Sequence, residues 1–169
     1  MSDLKQMFVS LGFRGVETYI QSGNVIFFSD EEQCSLMPLI EKAFEARFGF
    51  QSAVIIRSEA EIAKIIDSLP FIAEDIEHAE SETPDVEHIY IYLSGSTLDA
   101  EKIGQLCAPY GGRDKYRVNG REIYLLCFQS ITDSKLPAML MKLPQPLTAR
   151  NLKTMKKISS MFQVSVKEE

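Results

Sequence analysis

The stretch Val16 to Phe28 joins two β-prone runs at Ser22-Gly23, with Gln21 and Asn24 set against each other beside the turn. Antiparallel strands closed by a two-residue loop need positive φ, which glycine adopts without a Cβ penalty, so the spacing predicts a hairpin with a primed turn. The same pattern returns at Lys115 to Phe128 around Asn119-Gly120. A turn there would set Arg117 opposite Glu122, a cross-strand pair contributing about 0.2–1 kcal/mol. Two such hairpins, each enclosed by helical periodicity, point to a mixed helix-and-sheet fold.

Around the first hairpin, Leu4, Met7, Phe8 and Leu11 recur at helical spacing, with Ser2 as N-cap and Gly12 as stop. Ser29-Asp30-Glu31-Glu32 opens a second helix carrying Leu36, Leu39, Ile40, Ala43 and Phe44. Within Phe50 to Arg57, the run Ala53–Ile56 reads as a short buried strand. Ser58 then caps a helix bearing Ile62, Ile65, Ile66 and Leu69. Glu74 to Glu87 holds acids and no Lys or Arg, a composition expected to form a solvated linker. Beyond it, Ile89–Tyr92 predict a strand and Thr97–Ala100 open a helix. Further helices follow the second hairpin, from about Ser134 and from near Asn151.

Set side by side, the second half reads strand, helix, hairpin, helix, and the first reads helix, hairpin, helix, strand. The expected fold is α+β, with two ferredoxin-like (split βαβ) subdomains related by duplication, the first missing its opening strand. The expected boundaries are 1–73 for the incomplete half, 74–87 for the acidic linker, and 88–169 for the second half with an extra C-terminal helix. With 169 residues, 45% apolar and 25% charged, the composition is that of a globular protein, and no apolar run spans a bilayer. The first residues lack the basic and apolar regions of a signal peptide, and Cys34, Cys107 and Cys127 are odd in number and widely spaced. Reduced thiols in a cytoplasmic protein are the expectation. A net charge of −6 makes nucleic acid an unlikely partner, although Tyr90, Tyr92, Tyr116 and Tyr124 share one predicted sheet.

Thr18-Tyr19-Ile20-Gln21-Ser22-Gly23-Asn24-Val25-Ile26-Phe27, with Met1-Ser2-Asp3-Leu4 before it, Gly120–Leu125, Ser134–Leu136 and Thr148–Asn151, resembles the bacterial domain-of-unknown-function family 1697 (DUF1697). The resemblance covers essentially the whole chain and implies two ferredoxin-like subdomains. It also implies a preceding strand ending in a glycine-rich Arg-Gly-Ile-Asn-Val-Gly-Gly loop, and a tryptophan near Leu152. Neither is in this sequence. The family implies no reaction, so no catalytic residue is carried over.

Two polar segments lie outside the apolar pattern. Gln21, Ser22 and Asn24 sit at a hairpin tip, where they either satisfy the turn or bond a ligand. Thr148-Ala149-Arg150-Asn151 precedes the last helix, whose free N–H groups and dipole favour an anion, with Lys153, Lys156 and Lys157 close behind. The resulting expectation is a binding site for a small anionic or nucleotide-like ligand between the two halves, using Gln21, Ser22, Asn24, Arg150, Asn151 and Lys153. An enzyme whose site needs the absent segment is one alternative. A regulatory module self-associating through an unpaired sheet edge is the other. His78 and His88 are too sparse for a metal site, and no nucleotide loop or nucleophile elbow is present, so no metal and no cofactor is expected.

Overall fold

The computed structural model describes residues 1–20 and 23–165. The chain is α+β, and its elements run α1 (Ser2–Ser10), β1 (Arg14–Tyr19), β2 (Asn24–Phe28), α2 (Gln33–Phe48), α3 (Glu59–Asp67), α4 (Ala73–Glu82), β3 (Ile89–Ser94), α5 (Ala100–Cys107), β4 (Lys115–Asn119), β5 (Glu122–Leu126), α6 (Leu136–Leu140), β6 (Leu147–Asn151) and α7 (Leu152–Ser165). Two compact units are distinguished, Met1–Ala60 with Lys156–Glu169, and Glu61–Met155.

In the first unit α1 and α2 lay Met7, Phe8, Leu36 and Ile40 against Val16 of β1, with Val25 and Phe27 of β2 packed alongside. Phe8, Phe13 and Phe27 form a ring cluster with centroids 4.5–5.7 Å apart, the tilted geometry that aromatic quadrupoles favour. The hairpin is wider at its tip than the sequence suggests. Tyr19 pairs with Asn24, so the connection is four residues, and Gln21, expected opposite Asn24, lies with Ser22 outside the described residues. At the base, the register shifts between Arg14 and Glu17. Gly15 takes φ +57° there, and a Cβ on it would lie 2.5 Å from the Phe28 ring. This is a glycine bulge, in which one strand carries an extra residue.

The expected strand within Phe50 to Arg57 is not formed: residues 51–58 belong to no ladder, although Val54 and Ile56 pack on the first unit's core. The apolar run sets burial, but a strand also needs a neighbour to pair with.

The second unit is built on an antiparallel sheet of order β4-β5-β3-β6. With α5 between β3 and β4, and α6 between β5 and β6, this is the split βαβ succession. On one face Tyr92, Ile123 and Leu125 meet Leu98, Ile103 and Cys107 beside α5 and Leu136 and Leu140 of α6. On the other face the Tyr124 hydroxyl donates to Ile65 O of α3 at 3.2 Å, and His78 of α4 meets the Phe128 ring edge-on at 5.8 Å.

The second hairpin turns one residue later than expected. Asn119 pairs with Glu122 and Arg117 with Tyr124, so the loop is Gly120-Arg121 and the expected Arg117–Glu122 pair is not made. Gly120 takes φ +61°, the sign that a primed turn with glycine first requires.

Most of the acidic stretch expected as a linker is helical, in α4 (Ala73–Glu82). Asp75 pairs with Lys115 at 2.6 Å, and Glu82 with Arg113 at 2.9 Å and His78 at 3.1 Å, while Ala79 is fully buried. Its Arg and Lys partners, Arg113 and Lys115, come from distant sequence, which composition within the stretch does not reveal. Arg121 and Glu61 of α3 form a further short ion pair. β6 was likewise unexpected as a strand: Thr148–Asn151 pairs with β3 through Thr148↔Leu93 and Arg150↔Ile91.

Candidate functional site

Asn24 begins β2, and its side-chain amide donates to Tyr19 O at 3.1 Å, across the pair that closes the hairpin. A side-chain amide bonded to a backbone carbonyl in this way supports the turn. Asn151 ends β6, and its Oδ1 accepts from Thr154 N at 2.8 Å. The side chain therefore caps α7. Lys153 is exposed in the first turn of the same helix.

Arg150 is half-buried, and its Nη1 donates to Thr148 Oγ1 at 2.6 Å and to Ala149 O at 2.7 Å. Burial lowers its pKa, because desolvation disfavours the charged form. Within the second unit the structure thus brings Arg150, Asn151 and Lys153 together as neighbours along one strand–helix junction. Asn24 belongs to the first unit.

Sequence reading missed a concave feature of the second unit. An open groove of about 490 Å³ is lined by Ala100 and Cys107 of α5, by Tyr110, Gly112 and Asp114 of the following loop, and by residues 115–118 of β4. β4 is an edge strand, paired among the described residues with β5 alone. The two half-exposed tyrosines, Tyr110 and Tyr116, both contribute.

The loop is fixed by Asp114, which is buried. Its carboxylate accepts from the Tyr110 hydroxyl at 2.6 Å, from Phe128 N at 2.8 Å and from the Gln129 amide at 3.4 Å. Burial, followed by the bond to Asp114, pushes the Tyr110 phenol up to about 12. The Tyr110 ring is backed by Gly112, where a Cβ would stand 2.2 Å from the hydroxyl. Tyr110 is therefore a held, protonated surface and not a proton-transfer group at neutral pH.

The groove's cations are Lys115, already paired with Asp75, and Arg117, which is exposed and donates to the neighbouring Tyr116 O at 2.8 Å. The two buried thiols, Cys107 and Cys127, are unsuited to attack. Burial raises Cys107 and pushes Cys127 up to about 12, so both are neutral at physiological pH. Among the described residues, no cluster of three or more His, Cys, Asp or Glu side chains is arranged to hold a metal. No helix among them is long and apolar enough to cross a membrane. Of the sheet tyrosines, Tyr92 and Tyr124 are buried, and Tyr90 and Tyr116 are half-buried.

The signal that could have exposed the groove is Tyr110-Gly-Gly-Arg-Asp-Lys-Tyr-Arg117, which interleaves aromatic, small and basic residues between a helix and a hairpin. Its use requires knowing that β4 is an edge, which is a property of strand order.

A family model described as a protein of unknown function, DUF1697, matches residues 1–124. Among solved structures, the chain is similar to a conserved bacterial protein from Streptococcus pneumoniae, with a TM-score of 0.70 and 23% identity, over 95% of this chain and 87% of that one. At that identity the likeness carries the fold alone. A search of functionally curated proteins finds no match.

Proposed function

The chain belongs to the DUF1697 family of proteins of unknown function, and from its own surface chemistry we propose that it binds a small anionic ligand bearing a planar group, such as a nucleotide, in the groove between α5 and β4. The observation that carries this reading is Arg117: an exposed guanidinium lining a concave site beside Tyr110 and Tyr116. A planar guanidinium matches a phosphate or carboxylate in two-point geometry, and an aromatic face takes a planar group. One charge-assisted pair contributes about 1.5–3 kcal/mol and one stacking contact about 1–3 kcal/mol, which together support affinities no tighter than about 0.04 mM. Binding fits the site better than catalysis, because burial holds its Cys107 thiol and Tyr110 phenol protonated.

Calorimetric titration with AMP, ATP and inorganic phosphate tests the reading. Arg117→Ala is expected to weaken AMP and ATP binding about tenfold, in keeping with the loss of one charge-assisted pair. Undetectable binding at millimolar nucleotide, or binding unchanged in Arg117→Ala, would refute it.

A second reading places the anion at Arg150 and Lys153, in line with the polar junction before α7. The partly desolvated guanidinium favours it, since an anion there would offset the lost hydration. Sensitivity to Arg150→Ala, with none to Arg117→Ala, selects this site instead.

A further inference from the structure

The outer edge of β4 presents backbone groups that its own sheet does not use. Asn119 and Glu122 close a two-residue turn as a directly opposed pair, so they exchange hydrogen bonds, and alternation along an antiparallel ladder gives Arg117 and Lys115 the remaining bonds to β5. Tyr116 and Val118 therefore turn their N–H and C=O groups away from β5. Neither N–H meets an acceptor among the described residues. The Tyr116 carbonyl accepts from the guanidinium of the next residue, Arg117, at 2.8 Å. A side chain thus stands where a neighbouring strand would, and the free amides beside it are a template for pairing.

The side chains along this edge alternate in character. Tyr116 and Val118 pack on the core beside α5, and both line the open groove together with the exposed Ala100. Lys115 and Arg117 fall at the alternate positions. Lys115 is neutralised by Asp75 at 2.6 Å. Arg117 is exposed, bends over the edge to Tyr116 O, and has no carboxylate partner among the described residues.

We infer that β4 accepts an extended acidic segment of a partner protein, which adds antiparallel to the sheet and reads aliphatic, acidic, aliphatic. The two aliphatic residues lie opposite Tyr116 and Val118, exchange backbone bonds with them, and set their side chains over the groove beside Ala100. The acidic residue lies opposite Arg117, in the kind of pair whose facing side chains come closest. Its carboxylate draws the guanidinium away from Tyr116 O and leaves that carbonyl to the incoming N–H. The β4 of a second copy does not fit, because antiparallel pairing centred on Arg117 or on Tyr116 sets basic side chains opposite each other. Strand addition uses the backbone of β4 and does not rest on nucleotide binding, although the two ligands would compete for Arg117.

Amide hydrogen exchange on the full chain tests this, with and without the end-capped peptide Thr-Ile-Glu-Ile-Thr. Alone, the amides of Tyr116 and Val118 are expected to exchange much faster than that of Arg117, which is bonded to β5; the peptide should slow both at least about tenfold. N-methylation of the two isoleucines, whose N–H groups face β4, should abolish the protection. N-methylation of the glutamate, whose N–H faces away, should leave it. Replacing the glutamate by lysine should weaken binding about threefold or more, and Arg117→Glu should reverse that preference. The proposal is overturned if Tyr116 and Val118 are already slow without peptide, if millimolar peptide protects neither, if the peptide methylated at its isoleucines protects as well as the parent, or if the lysine peptide binds the unaltered chain as tightly.

Discussion

Asp114 carries more of the second unit's local order than any other polar side chain on the groove wall. It satisfies a phenol, a backbone N–H and an amide at once. Tyr110→Phe removes one of these bonds and leaves the carboxylate two others, so denaturant unfolding should register a loss of about 1 kcal/mol. Asp114→Ala leaves Phe128 N buried without its acceptor and is expected to cost about 3 kcal/mol. The double variant should fall short of the sum, because both changes break the same bond. None of this was readable at Asp114 itself. An aspartate in a Gly-Gly-Arg-Asp-Lys run reads as a turn residue, and only the return of Phe128 to its side makes it a buried acceptor. Asn151, by contrast, was readable: placed just before a helical pattern, it does what a capping residue does.

At the scale of the element, α4 shows how charge pairing across the chain orders a segment that local composition would leave solvated. The bond to Arg113 holds the Glu82 carboxyl below its ordinary 4.5. A carboxyl whose folded pKa lies below its unfolded one contributes stability above the unfolded value and loses it as pH falls through the folded value. The C-terminal turn of α4 should therefore loosen as pH drops below about 4.5, read as faster exchange of the amides near Glu82. Arg113→Ala should give that loosening at neutral pH and flatten the acid dependence. His88 secures the next stretch of chain, with its ring nitrogens 2.7 Å from Cys127 O and 3.0 Å from Thr83 O. The α1 and α5 patterns needed no such help. Their apolar residues recur at helical spacing, which placed both close to where they form; Asp99 caps α5 through Lys102 N, whereas α1 starts at Ser2 behind Met1, so the expected Ser2 cap is not made.

For the molecule as a whole, the tyrosines offer a readout of packing. Burial is the main cause that pushes Tyr92, Tyr110 and Tyr124 up to about 12. Their folded pKa values lie above the unfolded value near 10, so the stability they confer is complete below pH 10 and is lost as pH rises through 12. Absorbance titration should show these phenols ionising only near pH 12, together with cooperative loss of near-ultraviolet circular dichroism. Stepwise ionisation near pH 10 with the fold intact would contradict their burial.

The sequence by itself determined that the chain is α+β, that it belongs with DUF1697, that helices occupy the strongly periodic stretches, and that glycines turn two hairpins. These are local consequences of side-chain spacing and backbone freedom, both of which are written residue by residue. Tertiary structure alone decided which residue each hairpin turns on, that the acids of α4 have partners at Arg113 and Lys115, that Thr148–Asn151 is a strand, and that Ala53–Ile56 is not. Each depends on what a neighbouring element offers: a paired backbone, a counter-charge, or a strand order that leaves β4 at an edge. Pairing is a relation between distant segments, and one segment's composition does not contain it.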